Sequence, residues 1–158
     1  MNTMTPPADA VPRPGTDLDQ IHSERDFTTL RAAYRGSGGI ARGDELARRL
    51  EDHRCGDFVS LARLIVSGEV ISFEWRNSYW VPMFQFAPGD LSLRRGPLRV
   101  VAELAPVLDG WAIASWFAQP NCRLVDRRPI DLVDSNLPAV LDAARAERAQ
   151  AAAMCCAD

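Results

Sequence analysis

The chain has 158 residues, of which 47% are hydrophobic and 25% are charged. This length suits one domain, or two small units that share a core, and the apolar content is enough to bury one. The formal net charge of −3 argues against a strongly electrostatic nucleic-acid or membrane binder. All 18 basic residues are arginine, and the guanidinium group suits contacts with carboxylates and phosphates.

The first 16 residues predict a disordered leader. They hold several prolines and few large apolar residues, and no basic start is followed by the apolar run of a secretory signal. No stretch of the chain approaches the roughly 18 apolar residues that a membrane-spanning helix requires. We therefore expect a cytoplasmic protein with no membrane partner.

The cysteines and histidines give little basis for a metal site or for catalysis. Cys55 with His53 is the only local candidate for zinc, and the second close pair that such a site needs is absent. The chain has two histidines, and neither belongs to a recognisable catalytic motif. We therefore expect free thiols, no metal or other cofactor, and no enzymatic activity.

The segment 17–93 predicts three helices followed by a β-hairpin. Residues 23–26, Ser-Glu-Arg-Asp, resemble a capping box and predict a first helix that ends at Tyr34, before a glycine-rich joint at residues 36–39. The second helix is predicted to begin at the cap Asp44. The third is predicted from apolar side chains that recur at helical spacing and would face inward, namely Phe58, Leu61, Ala62 and Ile65.

The hairpin completes the outline of a DNA-binding module. Residues 70–75 and 79–86 alternate like two strands around a turn at 76–78, and Pro82 indicates an edge strand. Helix, turn, helix and hairpin together resemble a winged helix-turn-helix of regulator and excisionase-like proteins. That resemblance implies DNA contacts through Arg48, Arg49, Arg63 and the wing residue Arg76. The third helix carries a single outward arginine, so a module that serves only in packing is the alternative.

The stretch 94–150 predicts a small helical domain, and residues 151–158 form a tail. Pro97 can open a helix that either ends at Leu104 or is kinked by the proline that follows. Residues 134–136, Asp-Ser-Asn, offer caps for a last, alanine-rich helix. The fold class expected for the whole chain is therefore mainly α with a β-hairpin.

Residues 111–133 form the most distinctive part of this domain. Asp109 or Gly110 can cap a short helix that must end near Gln119, because Pro120 disfavours helical backbone in the residue before it. Residues 129–133 fit a single helical turn that begins with proline. Between the two helices, the sequence predicts a turn.

This stretch reads W-x-x-x-x-W-F-x-x-P-N-x-x-L, then R-R-P-x-D-L, and an alanine-rich helix follows. That order resembles the C-terminal toxin-binding domain of the Xre/MbcA/ParS antitoxin family. Val125-Asp126 stands where the family commonly has a glycine. The resemblance implies a protein that binds a toxin, often a RES-domain toxin that degrades NAD.

The preferred function is therefore to bind a protein partner, expected to be a toxin, and to occlude it. Arginines are frequent at binding hot spots, whereas tryptophans at helical spacing pack into a core at least as often as they face a partner. The predicted partner-binding residues are Trp111, Trp116, Asn121, Arg127, Arg128 and Pro129. Two alternatives stay open: a transcription regulator that binds DNA as a dimer, and a solitary adaptor without a toxin.

Overall fold

The computed structural model describes residues 22–156, and this part of the chain is mainly helical. The predicted leader at residues 1–16 lies outside the described residues. The helices are α1 (Glu24–Tyr34), α2 (Gly43–Asp52), α3 (Phe58–Val66), α4 (Arg95–Leu104), α5 (Gly110–Ala118), α6 (Pro129–Leu132) and α7 (Leu137–Cys155). The strands are β1 (Ile40–Arg42), β2 (Phe73–Trp75) and β3 (Ser78–Pro82).

The three strands form one antiparallel sheet in the order β1-β3-β2. The tip of the β2–β3 hairpin has Arg76 and Asn77 at φ 50° and 58°, the left-handed conformation that tight hairpin turns require. Both hairpin strands are shorter than predicted, and β3 ends where the chain turns into a 3₁₀-helix at Met83–Gln85. Strand β1 was not predicted; it has three residues and is defined by its pairing with β3.

Side chains cap the starts of three of the seven α-helices within residues 22–156. Ser23 and Asp26 form the predicted capping box at α1, and the backbone N–H and the hydroxyl of Ser23 lower the pKa of Asp26. Asp57 and Asp109 cap α3 and α5 through their side chains. The predicted cap Asp44 is wrong: β1 leads straight into α2, so the N-cap residue is the one before Gly43, and Asp44 lies in the first turn.

Two hydrophobic clusters form the interior. The larger one joins α1 and β2 to all four C-terminal helices, α4 to α7. The smaller one lies under α2 and α3, on the other side of the sheet, and includes Leu46, Leu50, Leu61 and Val81. The predicted boundary between residues 93 and 94 therefore runs through a core that both segments share.

Two close contacts fix α5 against the N-terminal half. A Cβ at Gly110 would overlap the carbonyl oxygen of Ser72, so the first turn of α5 lies directly on the backbone that enters β2. The hydroxyl of Tyr34 donates a buried hydrogen bond of 2.6 Å to the carbonyl oxygen of Ala114. Burial also raises the pKa of Tyr34 far above its ordinary value.

Gln85 is a buried polar side chain that joins the hairpin to the segment that precedes β2. Its amide oxygen accepts a hydrogen bond of 2.6 Å from the N–H of Ile71. Its amide nitrogen donates to the carbonyl oxygens of Ile71 and Pro82 at 3.1 and 2.9 Å. One side chain thus pairs three buried backbone groups that no strand would otherwise satisfy.

Helix α7 closes the larger cluster and then continues past it. Its buried side chains are Val140, Leu141, Ala143 and Ala144, and Arg145 and Arg148 both pair with Glu103 of α4. The helix runs through residues 151–155, which the sequence suggested as a tail. Within residues 22–156, no helix combines the length and the apolar character that crossing a bilayer demands.

Candidate partner-binding surfaces

The two tryptophans of α5 are held within the fold. The Trp111 ring stacks on His22 at a centroid distance of 3.9 Å and meets the edge of Phe73 at 4.9 Å. Trp116 packs against Phe117 at 5.2 Å. Both tryptophans are half-buried, so each leaves only part of its surface for a partner.

The indole N–H of Trp116 has no hydrogen-bond partner, and it is the only such buried side-chain atom within residues 22–156. Leaving a donor of this kind unpaired costs about 1–3 kcal/mol. The burial of Trp116 therefore leaves its indole N–H without a hydrogen bond.

The segment after α5 folds into a tight turn, which we call the 121–127 turn. The side-chain oxygen of Asn121 accepts from the N–H of Arg123 at 3.0 Å, and the backbones of Asn121 and Arg127 pair across the turn. Val125 and Asp126 both have φ 57°, in the left-handed region. The tight turn therefore forms without the glycine that is common at this place in the antitoxin family.

Val125 is the least expected residue of the turn. A β-branched side chain in the left-handed region is strained, and such strain persists only where the surrounding structure imposes it. The side chain is 87% exposed, so no packing inside the fold compensates for the strain. The exposed residues Arg123 and Arg127 flank it, and neither forms an ion pair with another residue of the described chain. In the sequence, the sign of this strain is that Val125-Asp126 stands where the resembled family commonly has a glycine.

Arg128 and Pro129 follow the 121–127 turn and attach it to α1 and α6. The guanidinium of Arg128 grips both carboxylate oxygens of Asp131, at 2.8 and 2.9 Å, and reaches the carbonyl oxygen of Ala33 in α1 at 3.3 Å. The hydrogen bonds to Asp131 raise the pKa of Arg128. Pro129 is fully buried at the first turn of α6. A partner cannot touch Pro129, so its role is to position the turn.

Three of the four arginines predicted to contact DNA are paired with carboxylates. Arg48 lies 3.6 Å from Asp44, Arg49 lies 3.9 Å from Glu45, and Arg76 at the hairpin tip lies 3.2 Å from Glu24. The fourth, Arg63 on α3, has no ion pair within residues 22–156. Neighbouring carboxylates therefore offset much of the positive charge that a phosphate backbone would meet.

The outer side of α3 is apolar. The helix has one buried residue, Leu61, and the prediction that Phe58 faces inward is wrong, since its side chain is 63% exposed. Val59 and Val66 are 55% and 88% exposed. Phe58, Val66 and Tyr79 of β3, which is 57% exposed, line a groove of about 430 Å³. We call this surface the α3 face.

A second, polar cleft of about 590 Å³ lies between α1, α2 and α6. It contains three arginines, and each of them pairs with a carboxylate. The pairs are Arg94 with Asp134, Arg49 with Glu45, and Arg128 with Asp131. Arg94 also donates to the carbonyl oxygen of Phe84 and Arg128 to that of Ala33, so these two arginines join elements around the cleft, whereas the Arg49 pair lies within α2.

The zinc candidate at Cys55 has no set of ligands around it. The thiol of Cys55 donates to the carbonyl oxygens of Asp90 and His53, at 2.8 and 3.3 Å. Within residues 22–156, no three His, Cys, Asp or Glu side chains are grouped so that they could hold a metal ion.

The chain matches no family model, no curated protein and no solved structure.

Proposed function

We propose that this chain is an antitoxin-like protein that binds a partner toxin and occludes it, without catalysis of its own. The observation that carries this proposal is the 121–127 turn, which presents an exposed, strained Val125 between two arginines that have no ion pair within the described residues. Strained and exposed residues concentrate at binding sites. The resemblance of residues 111–133 to the Xre/MbcA/ParS toxin-binding domain points to a RES-type toxin as the partner.

The geometry of the turn suits recognition of a protein. Val125 offers an apolar contact, and the guanidinium groups of Arg123 and Arg127 can each meet a carboxylate in a bidentate manner. The backbone is already fixed by its pairing between Asn121 and Arg127, so little conformational entropy is lost when a partner binds. Arg128 would act indirectly, by holding the turn against α1.

The test is binding to the RES-type toxin of the same host, measured by calorimetry and by relief of the toxin's NAD degradation. Arg127→Ala is expected to weaken binding at least tenfold, because truncating a hot-spot arginine commonly costs about 2 kcal/mol or more. Arg99→Ala is the matched control, since Arg99 is exposed on α4 and has no ion pair within residues 22–156. No binding by the unmodified chain, or an equal effect of both variants, would contradict the proposal.

A DNA-binding regulator is the second candidate. It is favoured by the order of elements, in which β1 precedes α2 and α3 and then pairs with the returning hairpin, as in a winged helix-turn-helix. The ion pairs of Arg48, Arg49 and Arg76 and the apolar α3 face count against it. Retention of duplex DNA that weakens steeply with salt and fails in Arg63→Ala would favour the regulator.

A further inference from the structure

Most of the large hydrophobic side chains that are exposed within residues 22–156 lie on the α3 face. Four of the six large hydrophobic side chains that are exposed within residues 22–156 lie on it. A fully exposed aromatic side chain offers about 150–250 Å² and a valine less, so at their exposed fractions the four together leave about 400–500 Å² uncovered. Patches of this size usually mark an interaction surface.

The side chains along one stripe of α3 are large at both ends and small in the middle. Phe58, Ala62 and Val66 recur at i, i+4 and i+8 and therefore form one stripe of the helix. Large exposed side chains lie at both ends of the stripe, each about 6 Å from its centre. The central residue, Ala62, is small enough to let a second helix approach closely.

We propose that the α3 face binds a second copy of this chain through a two-fold axis at Ala62. In that arrangement the two α3 helices cross in opposite directions, and Phe58 of each copy packs beside Val66 of the other. A two-fold interface requires one patch that is complementary to itself, and a stripe with bulky ends and a small centre meets this condition. The groove between α3 and Tyr79 provides space for side chains to interdigitate.

The area and the charges are consistent with a stable dimer. A standard interface buries about 800 Å² on each partner; the four apolar side chains supply about half of that area, and the partly exposed groove residues Ala62 and Ile65 add to it. At the rim, Asp44 pairs with both Arg42 and Arg48, and the three side chains are about half exposed or more, so their charges can stay in solvent. Arg63 lies beside the stripe, where its long side chain can keep its charge in solvent.

The first experiment measures the mass of the chain in solution by light scattering, over roughly 5 to 200 µM. The unmodified chain is expected to reach twice the monomer mass, and Val66→Asp is expected to remain a monomer at every concentration. Met154→Asp is the control, because Met154 is 70% exposed on α7, away from the α3 face. Circular dichroism of Val66→Asp verifies that the monomer is folded. A monomeric unmodified chain, or a Val66→Asp variant that still dimerises, would overturn the proposal.

The second experiment tests the position of the axis by disulfide crosslinking. The four native cysteines, all exposed within the described residues, are first replaced by serine. Ala62→Cys is then expected to crosslink to itself under a copper–phenanthroline oxidant, because Ala62 faces its own copy across the axis. Phe58→Cys and Val66→Cys are each expected to crosslink only when mixed. A dimer in which Ala62→Cys stays uncrosslinked while Val66→Cys couples to itself would exclude this axis.

This dimer does not depend on the proposed toxin binding, because the 121–127 turn lies outside the α3 face. Val66→Asp should therefore bind the toxin as the unmodified chain does, and Arg127→Ala should still dimerise. Failure of one proposal would leave the other standing. A dimer formed in this way would also cover α3 and withhold it from the major groove of DNA.

Discussion

Helix α1 of the larger hydrophobic cluster and helix α3 of the smaller one differ in how many side chains they bury. In the larger cluster, α1 buries Phe27, Leu30 and Tyr34, and stacks the Phe27 ring on Trp75 at 3.8 Å. In the smaller cluster, α3 buries Leu61 alone. Local stability follows buried contacts, so α3 is expected to open more readily than α1. The difference teaches that the chain is built around the larger cluster, to which α3 is attached as an outer layer.

Helix α5 lies directly on the backbone of Ser72 at Gly110, and Gly110→Ala is the most direct way to break this contact. The added methyl group would overlap the carbonyl oxygen of Ser72, and backbone on both sides leaves no flexible side chain to move aside. We expect a loss of about 3 kcal/mol or more in the free energy of unfolding, measured by urea denaturation. Gly89→Ala is the control, because a Cβ there meets nothing within 4 Å. Equal stability of the two variants would contradict the close approach.

Gln85 links β3 to the segment that precedes β2, and Gln85→Ala should have the next largest effect. The substitution strands the N–H of Ile71 and removes a donor from two carbonyl oxygens. We expect a loss of about 2–4 kcal/mol in thermal or chemical unfolding. Gln119→Ala, at an exposed position, should change the stability by less than about 0.5 kcal/mol. A mild effect at Gln85 would mean that water replaces its side chain.

Tyr34→Phe sharpens the comparison, because it removes the hydrogen bond between α1 and α5 and leaves the ring. We expect a loss of about 1 kcal/mol at neutral pH. Since burial raises the folded-state pKa of Tyr34, its contribution is intact below the ordinary tyrosine pKa of about 10 and is lost as the pH rises further. Denaturant titrations from neutral to alkaline pH should show a fall in stability above about pH 10 that is smaller in Tyr34→Phe. Parallel curves would show that Tyr34 titrates normally.

Val125→Gly should have the smallest effect and the opposite sign. A β-branched residue in the left-handed region costs roughly 1–3 kcal/mol, more than the entropic cost of about 0.5–1 kcal/mol that glycine brings. We therefore expect a gain of about 0.5 kcal/mol in unfolding free energy, together with weaker toxin binding. Val59→Gly, in the helical backbone of α3, is the matched control and should lose about 1 kcal/mol. A loss of stability in both variants would indicate that Val125 is unstrained.

Features set by neighbouring residues could be predicted from the sequence. Ser23 and Asp109 cap α1 and α5 as expected, and α5 ends before Pro120. The side-chain oxygens and the proline ring act on backbone groups within a few residues, so the pattern alone suffices.

Features set by distant residues could not be predicted. The strand β1 exists through its pairing with β3, far along the chain. The exposure of Phe58 escaped prediction because α3 is apolar on nearly every side, so periodicity cannot select the buried face. The ion pair between Arg76 and Glu24 depends on the docking of the hairpin beside α1. The candidate turn was located by its motif, but the exposure of Val125 required the fold.

The hydrogen bond between Tyr34 and Ala114 also implies a delay between the synthesis of α1 and the synthesis of its partner α5. These residues are 80 positions apart, so at about 5–20 residues per second the ribosome needs roughly 4–16 s to supply the partner of α1. Throughout that interval the apolar side chains of Phe27, Leu30 and Tyr34 lack the helices that will cover them. The yield of folded protein should therefore respond to the speed of translation and to the chaperones available while α1 waits.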